Sequence, residues 1–91
     1  MKTLRLFISG RVQGVWYRYW MVGEATSRAV AGWVRNRADG RVEALVHGPA
    51  GAVDALVVAC WSGPERARVD GIEAMADRAP SEAGFRRVAS V

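Results

Sequence analysis

Residues 10–18, Gly-Arg-Val-Gln-Gly-Val-Trp-Tyr-Arg, constrain this chain more than any other stretch. Before them, Leu4, Leu6 and Ile8 alternate with Arg5, Phe7 and Ser9. That period of two is a strand with one strongly apolar face. After them, Met21, Ala25 and Ala29 recur at steps of four with Val22 beside them, which predicts a helix over residues 19–30 facing a sheet. The chain must pass from strand to helix through a short loop with a glycine at each end of its tightest part. Such a loop can turn successive backbone N–H groups into an anion-sized concavity. The planar fork of Arg18 beside it suits a phosphoryl group. The residue types fit a tight strand-to-helix turn with a surface arginine equally well.

The remaining elements follow from spacing. Residues 32–38 predict a second strand, Asp39-Gly40 a hairpin turn, and residues 41–47 a third strand antiparallel to the second. Val53, Leu56, Val57, Cys60 and Trp61 fall at i, i+3, i+4, i+7 and i+8, a second amphipathic helix that Gly63-Pro64 ends. Residues 67–77 predict a fourth strand. Its alternation changes phase between Val69 and Ile72, which places a bulge near Gly71. Residues 84–89 predict a short last strand with Phe85 as its core anchor. The order is βαββαβ plus a C-terminal strand, an α+β ferredoxin-like sandwich with an antiparallel sheet and two helices on one face.

The chain has 91 residues, which predicts one domain spanning 1–91 with a single, modest core. Its one cysteine, Cys60, excludes an internal disulfide and reads as a small residue of the helix stripe. No apolar run reaches the length of a membrane span, and Met1 to Arg5 lead straight into a strand without a secretory apolar core. We therefore expect a cytoplasmic, monomeric protein. The net charge of +4 favours an anionic ligand, but the arginines are spread along the chain rather than massed in a nucleic-acid-binding block.

A second run, Gly32-Trp33-Val34-Arg35-Asn36 followed by Gly40, Val42 and Gly48, accompanies the first. Together the two runs resemble the signatures of the acylphosphatase family. The first matches Gly-x-Val-Gln-Gly-Val-x-Phe-Arg except that Tyr17 replaces Phe, and the second matches at every fixed position. The family commonly has glycine where this chain has Ala29. The resemblance extends over nearly the whole length and implies the same ferredoxin-like fold. It implies hydrolysis of small acyl phosphates, such as acetyl phosphate, carbamoyl phosphate or 1,3-bisphosphoglycerate, without metal or cofactor. By that resemblance the backbone of Gln13, Gly14, Val15, Trp16, Tyr17 and Arg18 cradles the phosphoryl group. Arg18 binds it, and Asn36 positions the attacking water. Trp16 falls at the variable position, at the mouth of the site, and the Tyr17 ring is expected to pack under the loop with its hydroxyl in need of a partner.

Other chemistries find little purchase. A lone asparagine before Asp39-Gly40 is ordinarily a turn former, although its amide both donates and accepts. His47, the only histidine, precedes Gly48-Pro49 without an acidic or thiol partner in the pattern and reads as a strand-end residue. There is no Gly-Lys-Ser/Thr phosphate loop and no His, Cys or carboxylate spacing typical of metal ligands. Trp20 and Trp33 read as core or partly core residues, and Trp61 as part of the second helix's apolar stripe. The leading alternative is a non-enzymatic RNA- or anion-binding module of the same fold. It is weakened because strand one offers only Phe7 for base stacking and strand three no aromatic. A third reading, a carbamoyl-transfer domain of a larger maturation enzyme, is disfavoured by the absence of further domains in these 91 residues.

Overall fold

A computed structural model describes all residues, 1–91. The elements in chain order are β1 (Lys2–Arg11), α1 (Tyr17–Ser27), β2 (Ala31–Asn36), β3 (Val42–Gly48), α2 (Ala50–Ser62), β4 (Arg68–Ala76) and β5 (Phe85–Arg87). The strands form one sheet in the order β4-β1-β3-β2-β5. The four longer strands pair antiparallel, as the sequence predicts. β5 adds alongside β2 in parallel, so the complete sheet is mixed.

Alternation sorts the sheet into two unlike faces. Leu6, Ile8, Val34, Val42, Ala44 and Val46 are buried on one, in a single cluster with Met21 and Ala25 of α1 and Val53, Leu56 and Cys60 of α2. Register makes this layer continuous: Leu6 and Val34 both pair with Ala44. The opposite face carries Arg5, Phe7, Trp33, Arg35 and Glu43. Here Glu43 is buried and accepts hydrogen bonds from Arg5, Arg35 and Arg37 at 2.5, 3.0 and 2.9 Å. Trp33 lies on this face between the guanidinium groups of Arg5 and Arg35, at 5.3 and 4.6 Å. It is half-buried but outside the helix-side core, whereas Trp20 packs against that core.

Several boundaries differ from the sequence reading for local reasons. α1 starts at Tyr17, two residues early, because Trp16 adopts a left-handed conformation (φ 68°) and its carbonyl accepts from Trp20 N–H at 2.9 Å. It ends at Ser27 rather than near residue 30. Val30 N–H donates to the Ala25 carbonyl at 2.9 Å and Ala29 N–H to the Thr26 carbonyl at 3.1 Å, a Schellman closure. That closure needs a left-handed residue, and Ala29 supplies it at φ 56°. Trp61 corrects the sequence reading: it is 51% exposed. Eight residues past Val53 it sits about 80° round the helix, beyond the strip that meets the sheet. The expected bulge is present, since Ser9 pairs with Gly71 and Gly10 with Val69, leaving Asp70 as the extra residue. β5 is shorter than residues 84–89, but Phe85 is its buried anchor.

Candidate active site

The loop between β1 and α1 is pinned by side chains that turn into the core. Val12 and Val15 are buried in the core, and Tyr17 beneath them is 1% exposed. Gly14 takes φ 72°, a left-handed conformation that glycine adopts without steric cost. Trp16 takes φ 68° with a side chain, a strained choice that leaves its indole 74% exposed. None of the backbone N–H groups of residues 12–16 donates to a protein acceptor. They lie beside the N-terminus of α1, whose first-turn N–H groups and dipole also favour negative charge. The loop is held across to the β2–β3 hairpin by Gln13, whose amide Nε2 donates to the carbonyls of Arg37 and Arg41 at 2.8 and 2.9 Å.

A cleft of about 280 Å³ opens here, lined by Val12, Gly14, Trp16, Tyr17, Arg18, Tyr19, Asn36 and Arg87. Arg18 comes from the first turn of α1 and forms no ion pair or side-chain hydrogen bond with the protein. Asn36 is the last residue of β2. Its backbone is held on both sides, by pairing with Val42 of β3 and by Val91 N–H donating to its carbonyl at 3.0 Å. Its side-chain oxygen Oδ1 is buried yet has no hydrogen-bond partner. A buried amide oxygen without a donor is costly, by about 1–3 kcal/mol, unless a ligand or water supplies one. Gly14, Trp16, Tyr17, Arg18 and Asn36 thus meet in one cleft. Gln13 and Val15 do not line it: the first spends its amide on the hairpin and the second faces the core.

Comparison with known proteins identifies the family. The acylphosphatase family model matches residues 4–87. The chain belongs to the acylphosphatase family. An acylphosphatase of Rhodospirillum rubrum is 58% identical over 85 residues, 93% of either chain. One from Azorhizobium caulinodans is 53% identical over 90 residues, 98% of this chain and 97% of its own. The crystal structure of acylphosphatase from Bacillus subtilis superposes with a TM-score of 0.91 at 40% identity, over 97% of this chain and 99% of that one. This is an enzyme of the acylphosphatase class, a hydrolase acting on acyl phosphates.

Within that family pattern, Tyr17 departs by one hydroxyl, and the hydroxyl has found a partner. It donates to the Cys60 carbonyl at 2.5 Å. Cys60 lies near the end of α2, where its carbonyl would await the N–H of residue 64, but residue 64 is proline and has none. Gly63, at φ 64°, lets the ring approach: a Cβ there would lie 2.7 Å from Tyr17 Cε2. Burial, with the neighbouring Cys60, holds the Tyr17 hydroxyl protonated far above its ordinary range. Burial also pushes the Cys60 thiol up to about 11, so it is an inert core residue rather than a nucleophile. His47 lies outside the cleft, its Nδ1 2.6 Å from Thr3 Oγ1. Sequence reasoning missed Val12, Tyr19 and Arg87 as lining residues. Arg87, two positions after the core anchor Phe85, shares that residue's face of the strand, but only the pairing of β5 with β2 carries it to the cleft.

Proposed function

We propose that the chain cleaves the carboxyl–phosphate anhydride of small acyl phosphates by direct attack of water on phosphorus. Arg18 and the loop N–H groups hold the phosphoryl oxygens, and Asn36 orients the water in line with the departing carboxylate. The observation that carries this is the buried, unpartnered Oδ1 of Asn36 in the same cleft as the uncommitted Arg18. Oδ1 accepts a hydrogen from the water, and the amide's N–H donates to a phosphoryl oxygen.

Phosphoryl transfer depends mainly on positioning and on stabilising the charge of the equatorial oxygens. A carboxylate is a good leaving group, so no strong general acid is required. The new P–O bond forms from the water oxygen, the P–O bond to the acyl oxygen breaks, and the electron pair leaves with the carboxylate. The water's proton passes to a phosphoryl oxygen, giving carboxylate and inorganic phosphate with no phosphoenzyme. We further propose that residues 1–91 act as one domain and as a cytoplasmic monomer, without metal. No helix is long and apolar enough to cross a membrane.

Hydrolysis of benzoyl phosphate in ¹⁸O-labelled water tests the route. Label in inorganic phosphate is the expected result. Label in benzoate would mean attack at the carbonyl carbon and would overturn the assigned roles of Arg18 and Asn36.

A further inference from the structure

Most arginines of this chain are already spent on neighbouring acids. Arg5, Arg35 and Arg37 converge on Glu43, Arg41 pairs with Asp39, and Arg86 closes a two-pronged pair with Glu82. Arg87 is different. It makes no ion pair or side-chain hydrogen bond, and it shares the cleft wall with the equally uncommitted Arg18. Its place is set by backbone pairing, since Arg87 stands opposite Val34 in the parallel β2–β5 ladder, two residues from Asn36.

Arg87 also borders a second groove of about 330 Å³, lined by Tyr19, Val22, Phe85, Arg86 and Arg87. The two recesses share Tyr19 and Arg87. An acyl group that leaves the phosphoryl site over these two side chains enters the second groove. Its lining is apolar on Val22 and Phe85, aromatic on Tyr19 and cationic at Arg87, where Arg86 is neutralised by Glu82. A planar guanidinium without a protein partner fits a carboxylate or phosphate fork-to-fork.

We propose that Arg87 is a specificity-determining residue, which pairs with a second anionic group on the acyl portion of the substrate. The enzyme then favours acyl phosphates that carry such a group over neutral ones of the same size. This rests on the phosphoryl site being the one assigned above.

The test compares 4-carboxybenzoyl phosphate with benzoyl phosphate, two substrates that differ by one remote carboxylate. The readout is the ratio of their kcat/KM values in wild type, Arg87→Gln, Arg87→Lys and Arg66→Gln. Arg66 is exposed and lines neither recess, so its variant reports the loss of one positive charge alone. The ratio should fall about fivefold in Arg87→Gln, mainly through KM, as suits a charge-assisted pair at a solvent-exposed rim. Arg87→Lys should recover part of it, and Arg66→Gln should leave it near the wild-type value. An unchanged ratio in Arg87→Gln, or an equal fall in Arg66→Gln, overturns the role of Arg87. So does a proportionate loss on both substrates, which would place Arg87 on the transferred phosphoryl group. Failure of wild type to hydrolyse benzoyl phosphate would instead defeat the underlying reaction, and this inference with it.

Discussion

Replacing Tyr17 by phenylalanine restores the usual residue of the family signature, and the structure predicts that it harms this chain. The Tyr17 hydroxyl donates to the Cys60 carbonyl at 2.5 Å, in a site where the ring is 1% exposed. Pro64 has no N–H to offer that carbonyl, so the variant leaves a buried acceptor without a donor. Losing the bond and stranding its partner costs about 1–3 kcal/mol, and the buried hydroxyl's own desolvation is returned, which leaves a net loss of about 1–2 kcal/mol. For a domain of this length each kcal/mol shifts Tm by about 4–8 °C, so the midpoint of thermal unfolding followed by circular dichroism should drop by roughly 4–16 °C. The pH dependence has a definite sign. The Tyr17 hydroxyl ionises far higher folded than unfolded, so its contribution is complete below about pH 10 and is lost as pH rises further. The gap between wild type and variant should therefore narrow in alkali. A variant with wild-type Tm at pH 7 would refute the capping of α2 by Tyr17.

Three other changes test separate parts of the structure. Ala29→Gly should stabilise the protein by about 0.5–1 kcal/mol in urea unfolding, because a left-handed alanine is strained and only part of the relief is offset by the freer unfolded chain; a loss of stability would contradict the Schellman closure. For Glu43, burial raises the carboxyl's pKa, but hydrogen bonds from Arg35, Arg5 and Arg37 outweigh it and hold it below the ordinary range. Its stabilisation is present above the unfolded value of about 4.3 and is lost as pH falls through the lower folded value, so Glu43→Gln should unfold more easily at pH 7 and lose less stability between pH 5 and 3 than wild type. Arg18→Lys should reduce kcat/KM for benzoyl phosphate at least about tenfold, because a point charge does not reproduce the planar fork; steady-state kinetics showing wild-type values would remove the fork from the account.

The sequence exposed what periodicity and paired motifs encode. The alternation of Leu4, Leu6 and Ile8, the stripe of α2 and the phase change before Ile72 located the elements and the bulge, because each is a local consequence of side-chain direction. The site's centre was legible for another reason: the glycine-flanked loop and the Asn36 run together resemble a known family. What escaped reading was set by distant pairing. Nothing local says that β5 joins β2 in parallel, and that join alone brings Arg87 to the cleft. The tie from Gln13 to the carbonyls of Arg37 and Arg41 likewise depends on where the hairpin folds back. Trp61 was misread because an apolar stripe records helical phase without recording where the sheet beneath it ends.

The proposed roles of Arg18, on the phosphoryl group, and of Asn36, on the attacking water, are separated by a single assay. Benzoyl phosphate hydrolysis is followed in EDTA for wild type, Arg18→Gln and Asn36→Ala, with folding of each checked by circular dichroism. Wild type should turn over, Arg18→Gln should lose in both KM and kcat, and Asn36→Ala should lose mainly in kcat. Wild-type turnover by folded Asn36→Ala would contradict the role of Asn36.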